Sequence, residues 1–177
     1  VQPDHIEKIR KWRNSQIHVL RQSNKLTSLQ QKKYFRDNIW PDMLKSKPKN
    51  IIFIYKENNK IIGYGGLVNI SWESYRAEIS FLLDTKLAGT LQDTNIYLPN
   101  FLIFMKEIAF NYLNLNRLWG ETFSIRPKYI HALEKSGFFC EGNLKNHIWI
   151  NGKAYDLIIN ACIKTKNKLK NKNIIKE

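Results

Sequence analysis

Cysteine, acidic residues and long apolar runs are all scarce in this chain of 177 residues. Its two cysteines, Cys140 and Cys162, are too few for a disulfide framework and lack the spacing of metal ligands, so we expect two free thiols in a reducing compartment. No apolar run approaches the roughly 18 residues that cross a membrane, and no N-terminal stretch has the layout of a signal peptide. We therefore expect a cytoplasmic protein without a membrane span.

Acidic residues number 15 against 29 lysines and arginines, which gives a formal net charge of +14 and a pI near 9.8. From Lys164 to Glu177, six lysines and one glutamate contribute +5, so residues 1–163 carry +9. The basic body suits a polyanionic ligand or RNA, although a chain rich in Lys, Asn and Ile is equally often basic through composition alone. Aromatic residues are not interleaved with basic ones as in a stacking platform, which disfavours nucleic acid as a partner.

The first half of the chain predicts two helices followed by an antiparallel sheet. Asp4 is the expected cap of a helix in which Ile6, Ile9 and Trp12 recur every three residues. A second helix is expected from Thr27 or Ser28, with a glutamine three residues on as its capping-box partner. Three apolar runs then predict strands, of which the first two form a hairpin: 51–55, 61–68 and 76–83.

The second half predicts a buried helix, a strand, another helix and a closing hairpin. Residues 100–113 are apolar nearly all round, as in a helix packed on a sheet, and residues 118–123 form a strand. The next helix, 127–136, opens with proline and ends at Gly137. This order is α+β, and it predicts one domain over 1–163 followed by a frayed basic tail, 164–177.

The dipeptide Asn151-Gly152 between two apolar strands predicts a two-residue type I′ turn. In the register that this turn imposes, residues whose numbers sum to 303 face each other, so His147 should lie opposite Asp156 and pair with it. Cys140 and Cys162 should then point to opposite faces of the sheet, which excludes a bond between them.

Four stretches carry a resemblance to a known family: Trp12-Arg13-Asn14, 62–67, 76–81 and, most specifically, 116–156 with its Glu141-Gly142. In this order they resemble the GNAT N-acetyltransferases, in the branch that acetylates ribosomal-protein N-termini and amino-sugars of surface-polysaccharide pathways. The resemblance implies a three-layer fold with a mixed, mostly antiparallel, splayed sheet flanked by helices. It also implies acetyl-CoA as co-substrate, entering the V between the family's fourth and fifth strands.

Counting back from Ala109-Phe110, the family's glycine-rich pyrophosphate loop should fall on 93–98, where none of its glycines is present. A helix N-terminus there would still offer N–H donors to phosphate. The cofactor contacts expected in this segment are Asn95, Ile96, Tyr97 and Leu98. Arg126, at the start of the later helix, has a planar guanidinium that can donate hydrogen bonds to an anionic part of the acetyl donor or of the acceptor. The alternative is a solvated surface residue.

Amine acetylation needs a base, because alkylamines are mostly protonated at neutral pH. The resemblance implies that Glu78, in mid-strand, faces the acceptor, and a salt bridge across the sheet is its structural alternative. Glu121 on the neighbouring strand is the second candidate. Many members protonate the departing thiolate with a tyrosine at the position of Leu133.

Backbone N–H groups near the end of the third strand are the expected holders of the thioester oxygen, as in similar folds. This assigns cofactor contacts to Phe81, Leu82 and Leu83. Three aromatic residues near predicted loops are candidates for an acceptor pocket, although aromatic side chains are more often part of a core: Trp72, Tyr75 and Trp40.

The sequence thus predicts an acyl-CoA-dependent N-acetyltransferase whose acceptor is an amine, with an amino-sugar nucleotide as first choice. A protein N-terminus or a small amine is the nearest competitor, and a non-catalytic nucleotide- or RNA-binding module is the alternative from another class. A monomer and a homodimer both fit the sequence, which predicts no metal site.

Overall fold

The computed structural model describes residues 1–165, and these form one mixed sheet with helices on both faces. The strands are β1 (Ile51–Glu57), β2 (Lys60–Ser71), β3 (Arg76–Leu83), β4 (Arg117–Phe123), β5 (Phe139–Ile150) and β6 (Lys153–Ile163). Their order in the sheet is β1-β2-β3-β4-β6-β5, and neighbours are antiparallel except β3 and β4, which are parallel. The predicted α+β class with a mixed, mostly antiparallel sheet is confirmed.

Five α-helical segments lie in the described part of the chain: α1 (Ile6–Ser15), α2 (Ser28–Tyr34), α3 (Trp40–Met43), α4 (Leu98–Lys106) and α5 (Pro127–Lys135). A π-helical segment, Phe35–Ile39, joins α2 to α3. Two more, Asp93–Tyr97 and Glu107–Tyr112, extend α4 at its ends, so the backbone is helical from 91 to 112. Short 3₁₀ turns cover Pro3–His5 and Ile17–Val19.

Each face of the sheet has its own core. On one face, Leu98 and Leu102 of α4 are fully buried against Leu67 and Leu118 of the sheet. On the other, Ile6 and Ile9 of α1 pack with side chains of the sheet and the α2–α3 region. Burial of each such side chain stabilises the fold by about 1.5–3 kcal/mol, so the two cores together hold β3 and β4 in place.

Of the two predicted helix caps, the one at Thr27 is confirmed and the one at Asp4 is wrong. Thr27 accepts from the N–H of Gln30 at 3.2 Å while the Gln30 side chain accepts from the N–H of Thr27 at 2.8 Å, which confirms the capping box. Asp4 does not cap α1, because it lies inside a 3₁₀ turn that leads directly into the helix. The N–H of Gln2 instead donates to Nδ1 of His5 at 2.9 Å.

The closing hairpin has the predicted turn, with Asn151 at φ 50° and Gly152 at φ 75°. The predicted register holds for 148–155, 149–154 and 150–153, and then shifts so that Leu144 faces Leu157. Because a bulge between Leu144 and Ile148 shifts the register, the predicted pair of His147 with Asp156 is wrong.

Asp156 instead accepts from Lys145 Nζ at 2.8 Å and from the N–H of Asn146 at 3.0 Å. Both cysteines are free, Cys140 exposed and Cys162 buried. Of the predicted tail, Lys164 donates to the carbonyl of Phe110 at 2.5 Å, and residues 166–177 lie outside the described part of the chain.

Candidate active site

The parallel strands β3 and β4 pair over only three positions, the last being Glu78 opposite Trp119. Beyond this point the strands diverge. A Cβ built on Gly120 would meet only the Ile79 carbonyl oxygen within contact range, at 3.9 Å. The predicted splay of the sheet is therefore present, and it lies between the third and fourth strands described here.

The V between the strands holds a narrow cavity of about 110 Å³ and opens at both ends. Toward the start of the 91–112 helix it adjoins a cavity of about 420 Å³, with Val19, Arg126 and Tyr129 lining both. On the other side it adjoins two cavities of about 560 and 420 Å³, which we call the hairpin cavity and the α2 cavity. The result is a cleft that passes through the sheet.

Both predicted carboxylates lie at the V and share one cation. Arg21 donates through Nη2 to Oε1 of Glu78 and through Nη1 to Oε2 of Glu121, the latter at 3.0 Å. The other oxygen of Glu78 accepts from Nδ2 of Asn69 at 2.7 Å. The Glu78 side chain is only 4% exposed, against 21% for Glu121 and 55% for Arg21. A salt bridge, the structural alternative for Glu78, is present, but its partner Arg21 lies in the segment after α1 and not across the sheet, and the pair lies within the cleft.

The segment 93–98 is helical, and the predicted pyrophosphate loop is not there. The helix begins at residue 91, where Thr90 Oγ1 accepts from the N–H of Asp93 at 3.1 Å. The loop that precedes this helix is therefore 84–90, and not 93–98 as counting back from Ala109 predicted.

All four predicted cofactor contacts in this segment lie on other sides of the helix. Tyr97 is buried and donates to Oε2 of Glu57 at 2.9 Å, and Leu98 is fully buried in the core. Asn95 and Ile96 are exposed, and Ile96 lines a separate surface cavity with Tyr97. None of the four lines the cleft.

Asp93 lies in the first turn of the 91–112 helix and lines the cavity of about 420 Å³ at that helix start, which we call the cofactor-side cavity. Its Oδ2 accepts from the N–H of Gly89 at 2.8 Å, whereas its buried Oδ1 has no hydrogen-bond partner among the described residues. Burial raises the pKa of Asp93, and this outweighs the Gly89 hydrogen bond and the attraction of Arg126, which lower it. An anion at this helix end would meet the Arg126 and Lys128 side chains together with this carboxyl group.

Arg126 and Tyr129 form the cleft-side face at the start of α5. The Arg126 guanidinium carbon lies 3.8 Å from the centre of the Tyr129 ring, a cation–π contact. Burial raises the pKa of Tyr129 to about 12, so its hydroxyl keeps its proton at neutral pH and can donate. Tyr129 lies one helical turn before Leu133, and both line the V.

Of the predicted thioester contacts, Phe81 lines the V and stacks on Phe101 at a centroid distance of 4.6 Å. Leu82 packs in the core beneath α1. The Leu83 carbonyl accepts from Nε2 of Gln16 at 2.8 Å. The structure thus brings Phe81 to the cleft and directs the side chain of Leu82 away from it.

The three aromatic candidates for the acceptor pocket are placed elsewhere, and none lines the cavities described above. Trp72 donates to the Pro48 carbonyl at 2.9 Å and packs against the α4 core. Trp40 donates to the Val1 carbonyl at 3.1 Å. Tyr75 is 55% exposed in the β2–β3 turn, with φ 50°.

The hairpin cavity and the α2 cavity, together the acceptor-side cavities, are lined mainly by residues that the sequence did not single out. In the α2 cavity the polar lining consists of arginines, amides and hydroxyls, and its described lining holds no carboxylate: Arg13, Arg21, Gln22, Gln30, Gln31, Tyr34, Asn50, Tyr64 and Ser80. Arg13 is fixed there by Oε1 of Gln22 at 2.9 Å and by the hydroxyl of Tyr64 at 2.9 Å. The hairpin cavity adds His18, His147 and Glu121.

Arg21 and Tyr129 are the functional candidates that sequence reasoning missed. Arg21 lies outside any helix or strand, and its partners are 57 and 100 residues away, so no local pattern points to it. Tyr129 did have a signal, because residues four apart on a helix share a face and Leu133 occupied the expected tyrosine position.

Two features are absent from the described residues. No helix among residues 1–165 is long and apolar enough to cross a membrane. Over the same residues, no three His, Cys, Asp or Glu side chains come together in a group that could hold a metal ion.

Comparisons with known proteins agree with this geometry. The model of the acetyltransferase (GNAT) domain family matches residues 1–159. Among solved structures, the spermidine N-acetyltransferase from Vibrio cholerae in complex with CoA and spermine is similar at 17% identity and a TM-score of 0.77, with 92% of each chain covered. A variant of the spermidine N-acetyltransferase SpeG from the same organism is 18% identical, with a TM-score of 0.74 and again 92% of each chain covered. No curated protein sequence matches the chain.

At such identities the solved structures establish the fold, and the family model establishes the family. The family model covers nearly the whole described chain, and the splayed sheet confirms the fold expected from the resemblance. The chain therefore belongs to the GNAT acetyltransferase family, whose members transfer an acetyl group from acetyl-CoA.

Proposed function

We propose that this protein transfers the acetyl group of acetyl-CoA to the amine of a small polar acceptor, with an amino-sugar nucleotide as first choice. The observation that carries the proposal is the cleft itself. It opens to a helix start on one side and to polar cavities on the other, with the carboxylates of Glu78 and Glu121 between them.

The donor side suits an extended ligand that ends in phosphates. The narrow V admits a chain rather than a ring, and the wider cavity beyond it offers Arg126 and Lys128 to a pyrophosphate. The helix N-terminus at 90–91 adds the favourable end of its dipole. The Asp93 carboxyl opposes this, and its raised pKa reduces the negative charge that it presents.

The reaction needs one base and one donor at the V. The acceptor nitrogen loses a proton toward the Glu78 carboxylate, attacks the thioester carbonyl carbon, and the bond from that carbon to sulfur breaks. As the amide forms, the nitrogen loses a second proton and the leaving sulfur gains one, so the net release is the single proton on the Glu78 carboxylate. Tyr129, protonated at neutral pH, lines the V where it can donate a hydrogen bond to that sulfur. Glu121 is positioned to bind the incoming ammonium.

The lining of the α2 cavity supports this choice of acceptor. A polyamine carries several cations and needs several carboxylates along its length, but the described lining offers arginines, amides and hydroxyls. Such a lining fits a hydroxylated or anionic body, as in a sugar phosphate. We therefore favour an amino-sugar nucleotide.

A polyamine is the second candidate. It is supported by the paired carboxylates and by the likeness to a solved structure that contains spermine.

Calorimetry and a thiol-release assay test the proposal together. We expect acetyl-CoA to bind the purified protein saturably, and free thiol to appear when a nucleotide-linked amino-sugar is added. Spermidine, spermine and an alanine-ended peptide complete the acceptor panel. Absence of acetyl-CoA binding would overturn the enzyme assignment of this cleft, whereas turnover with spermidine alone would transfer the proposal to the polyamine class.

A further inference from the structure

Arg21 is the one described residue that lines the V and both acceptor-side cavities. Its guanidinium spans Glu78 and Glu121 and lies between the cavities that hold the acceptor in the proposed function. The side chain is 55% exposed, in a stretch outside helices and strands, while the Glu78 side chain beneath it is 4% exposed. The cation is thus accessible and the carboxylate is fixed.

Glu78 cannot serve an acceptor in this arrangement. Its Oε1 accepts from Arg21 and its Oε2 accepts from Asn69, so both oxygens are engaged. Asn69 lies in β2, the strand next to Glu78, at a bulge directly after the paired residues Val68 and Glu78. Arg21 is the partner that can leave, because its side chain is more than half exposed and lies outside the helices and strands, so only the side chain has to turn away.

We propose that Arg21 is a built-in occupant of the acceptor's ammonium site, and that the acceptor binds by exchanging one cation for another. The acceptor's ammonium takes the contacts to Glu78 and Glu121, and the released guanidinium remains beside the α2 cavity. There it joins Arg13 in binding an anionic group of the same acceptor. This inference rests on the proposed function and names its acceptor class as a zwitterion, an amine that also carries a phosphate or carboxylate.

The charges explain the selectivity. A plain amine that displaces Arg21 satisfies the carboxylates but leaves the guanidinium without a partner. A zwitterionic amine satisfies both, so every charge in the exchange keeps a partner. A planar guanidinium binds phosphate through two parallel hydrogen bonds, which makes the freed side chain a good phosphate ligand. Arg21 would therefore reject polyamines and admit amino-sugar phosphates.

Equilibrium binding of two matched probes tests the exchange without any turnover. Glucosamine carries the amine alone, and glucosamine 6-phosphate carries the same amine with a phosphate. Calorimetry compares the wild-type protein with Arg21→Ala and with Arg36→Ala, a control in which an exposed arginine outside the cavities loses its contact with Asp37. Arg21→Lys is the variant of choice if Arg21→Ala does not fold, since it keeps the charge but cannot span both carboxylates.

We expect Arg21→Ala to bind glucosamine about tenfold more tightly than wild type and to lose about tenfold of the preference for the phosphorylated probe. Arg21→Lys should change both values in the same direction by less, and Arg36→Ala should match wild type. Weaker glucosamine binding in a folded Arg21 variant, or an unchanged preference, would show that Arg21 only compensates the buried charge and would overturn the inference. Because probe binding is measured in the absence of acetyl-CoA, this result is independent of whether acetyl-CoA binds.

Discussion

Two carboxyl groups are buried in the cleft, and they differ in their hydrogen-bond partners. Glu78, 3% exposed, is bonded through both oxygens to Arg21 and Asn69. Asp93, 2% exposed, has one hydrogen bond from Gly89 and one oxygen with no partner. A buried charge is tolerated only when it is paired and hydrogen-bonded. Glu78 has such partners, whereas burial raises the pKa of Asp93 and favours its neutral form.

The difference follows the chemistry proposed for each end of the cleft. At the acceptor end a negative charge is useful, because it attracts an ammonium group and accepts its proton. At the cofactor end a negative charge would repel phosphate, and burial raises the pKa of the only carboxyl group among the described residues lining that cavity. Polarity alone does not distinguish the two sites, but the partners of each carboxyl group do.

The replacement Glu78→Gln should have the largest effect on activity. It keeps the shape and the contact with Asn69 but removes the base, so we expect kcat to fall by about 10²- to 10³-fold, within the range for loss of general base catalysis. Acetyl-CoA affinity, measured by calorimetry, should stay within about twofold of wild type.

Glu73→Gln is the matched control, since Glu73 is exposed in the β2–β3 turn. A Glu78→Gln protein with unchanged kcat would mean that the two buried carboxyl groups do not differ in catalytic role.

Removal of the Tyr129 hydroxyl should have the next largest effect. With Tyr129→Phe we expect kcat to fall by about 10- to 100-fold, because one proton donor near the leaving sulfur is lost while ring packing against Arg126 remains. Since the Tyr129 pKa is about 12, its loss should remove no ionisation from the pH–rate profile below pH 10. Tyr112→Phe, 78% exposed, is the control, and equal rates for both variants would contradict the assignment.

Arg126→Ala tests the cofactor end directly. Loss of one charge-assisted contact to phosphate should weaken acetyl-CoA binding by about tenfold, equivalent to roughly 1.4 kcal/mol. The change should appear in the calorimetric Kd and should diminish for a short thioester that lacks the nucleotide. Lys135→Ala, exposed at the far end of the same helix, should bind acetyl-CoA as wild type does; an equal loss there would indicate a general charge effect.

Asp93→Asn should produce the smallest effect and the clearest pH dependence. Because the folded-state pKa is raised, Asp93 holds its proton more tightly in the native protein than in the unfolded chain. Its contribution to stability is therefore most favourable at acidic pH, below the unfolded value, and declines as the pH rises through the raised pKa. Asparagine keeps an acceptor for the Gly89 N–H and cannot ionise, so the variant should lose this decline.

Thermal unfolding at several pH values measures the effect, and melting temperatures of variant and wild type should separate as the pH rises. The titrating and charged groups that face the same cavity are His18, Arg126, Lys128 and Tyr129. Acetyl-CoA should bind the variant about twofold more tightly at neutral pH, since repulsion between unit charges about 8 Å apart in a wet cavity is about 0.5 kcal/mol. Parallel melting curves at all pH values would show that Asp93 is ionised in the native state as it is in water.

Strand β3, the two hairpins and the start of α5 were predictable because their signals are local. An alternating run ended by turn residues, the Asn151-Gly152 dipeptide and Pro127 each act within a few positions. The helix start was missed although Thr90 and Asp93 have the spacing of a cap, because counting back from Ala109 took precedence over that local signal. The position of Arg21 could not be predicted, since it depends on how strands distant in sequence diverge.

The divergence of β3 and β4 also creates a sheet edge inside the molecule. After Glu78 the side of β3 that faces β4 has no partner strand, while its other side stays paired with β2 as far as Leu83. An ordinary sheet edge attracts other protein chains, but this one lies in a cavity of about 110 Å³, which has room only for a slender molecule. The unpaired edge of β3 therefore lies along this cavity. A slender ligand that carries amide groups would hydrogen-bond to it as a neighbouring strand does.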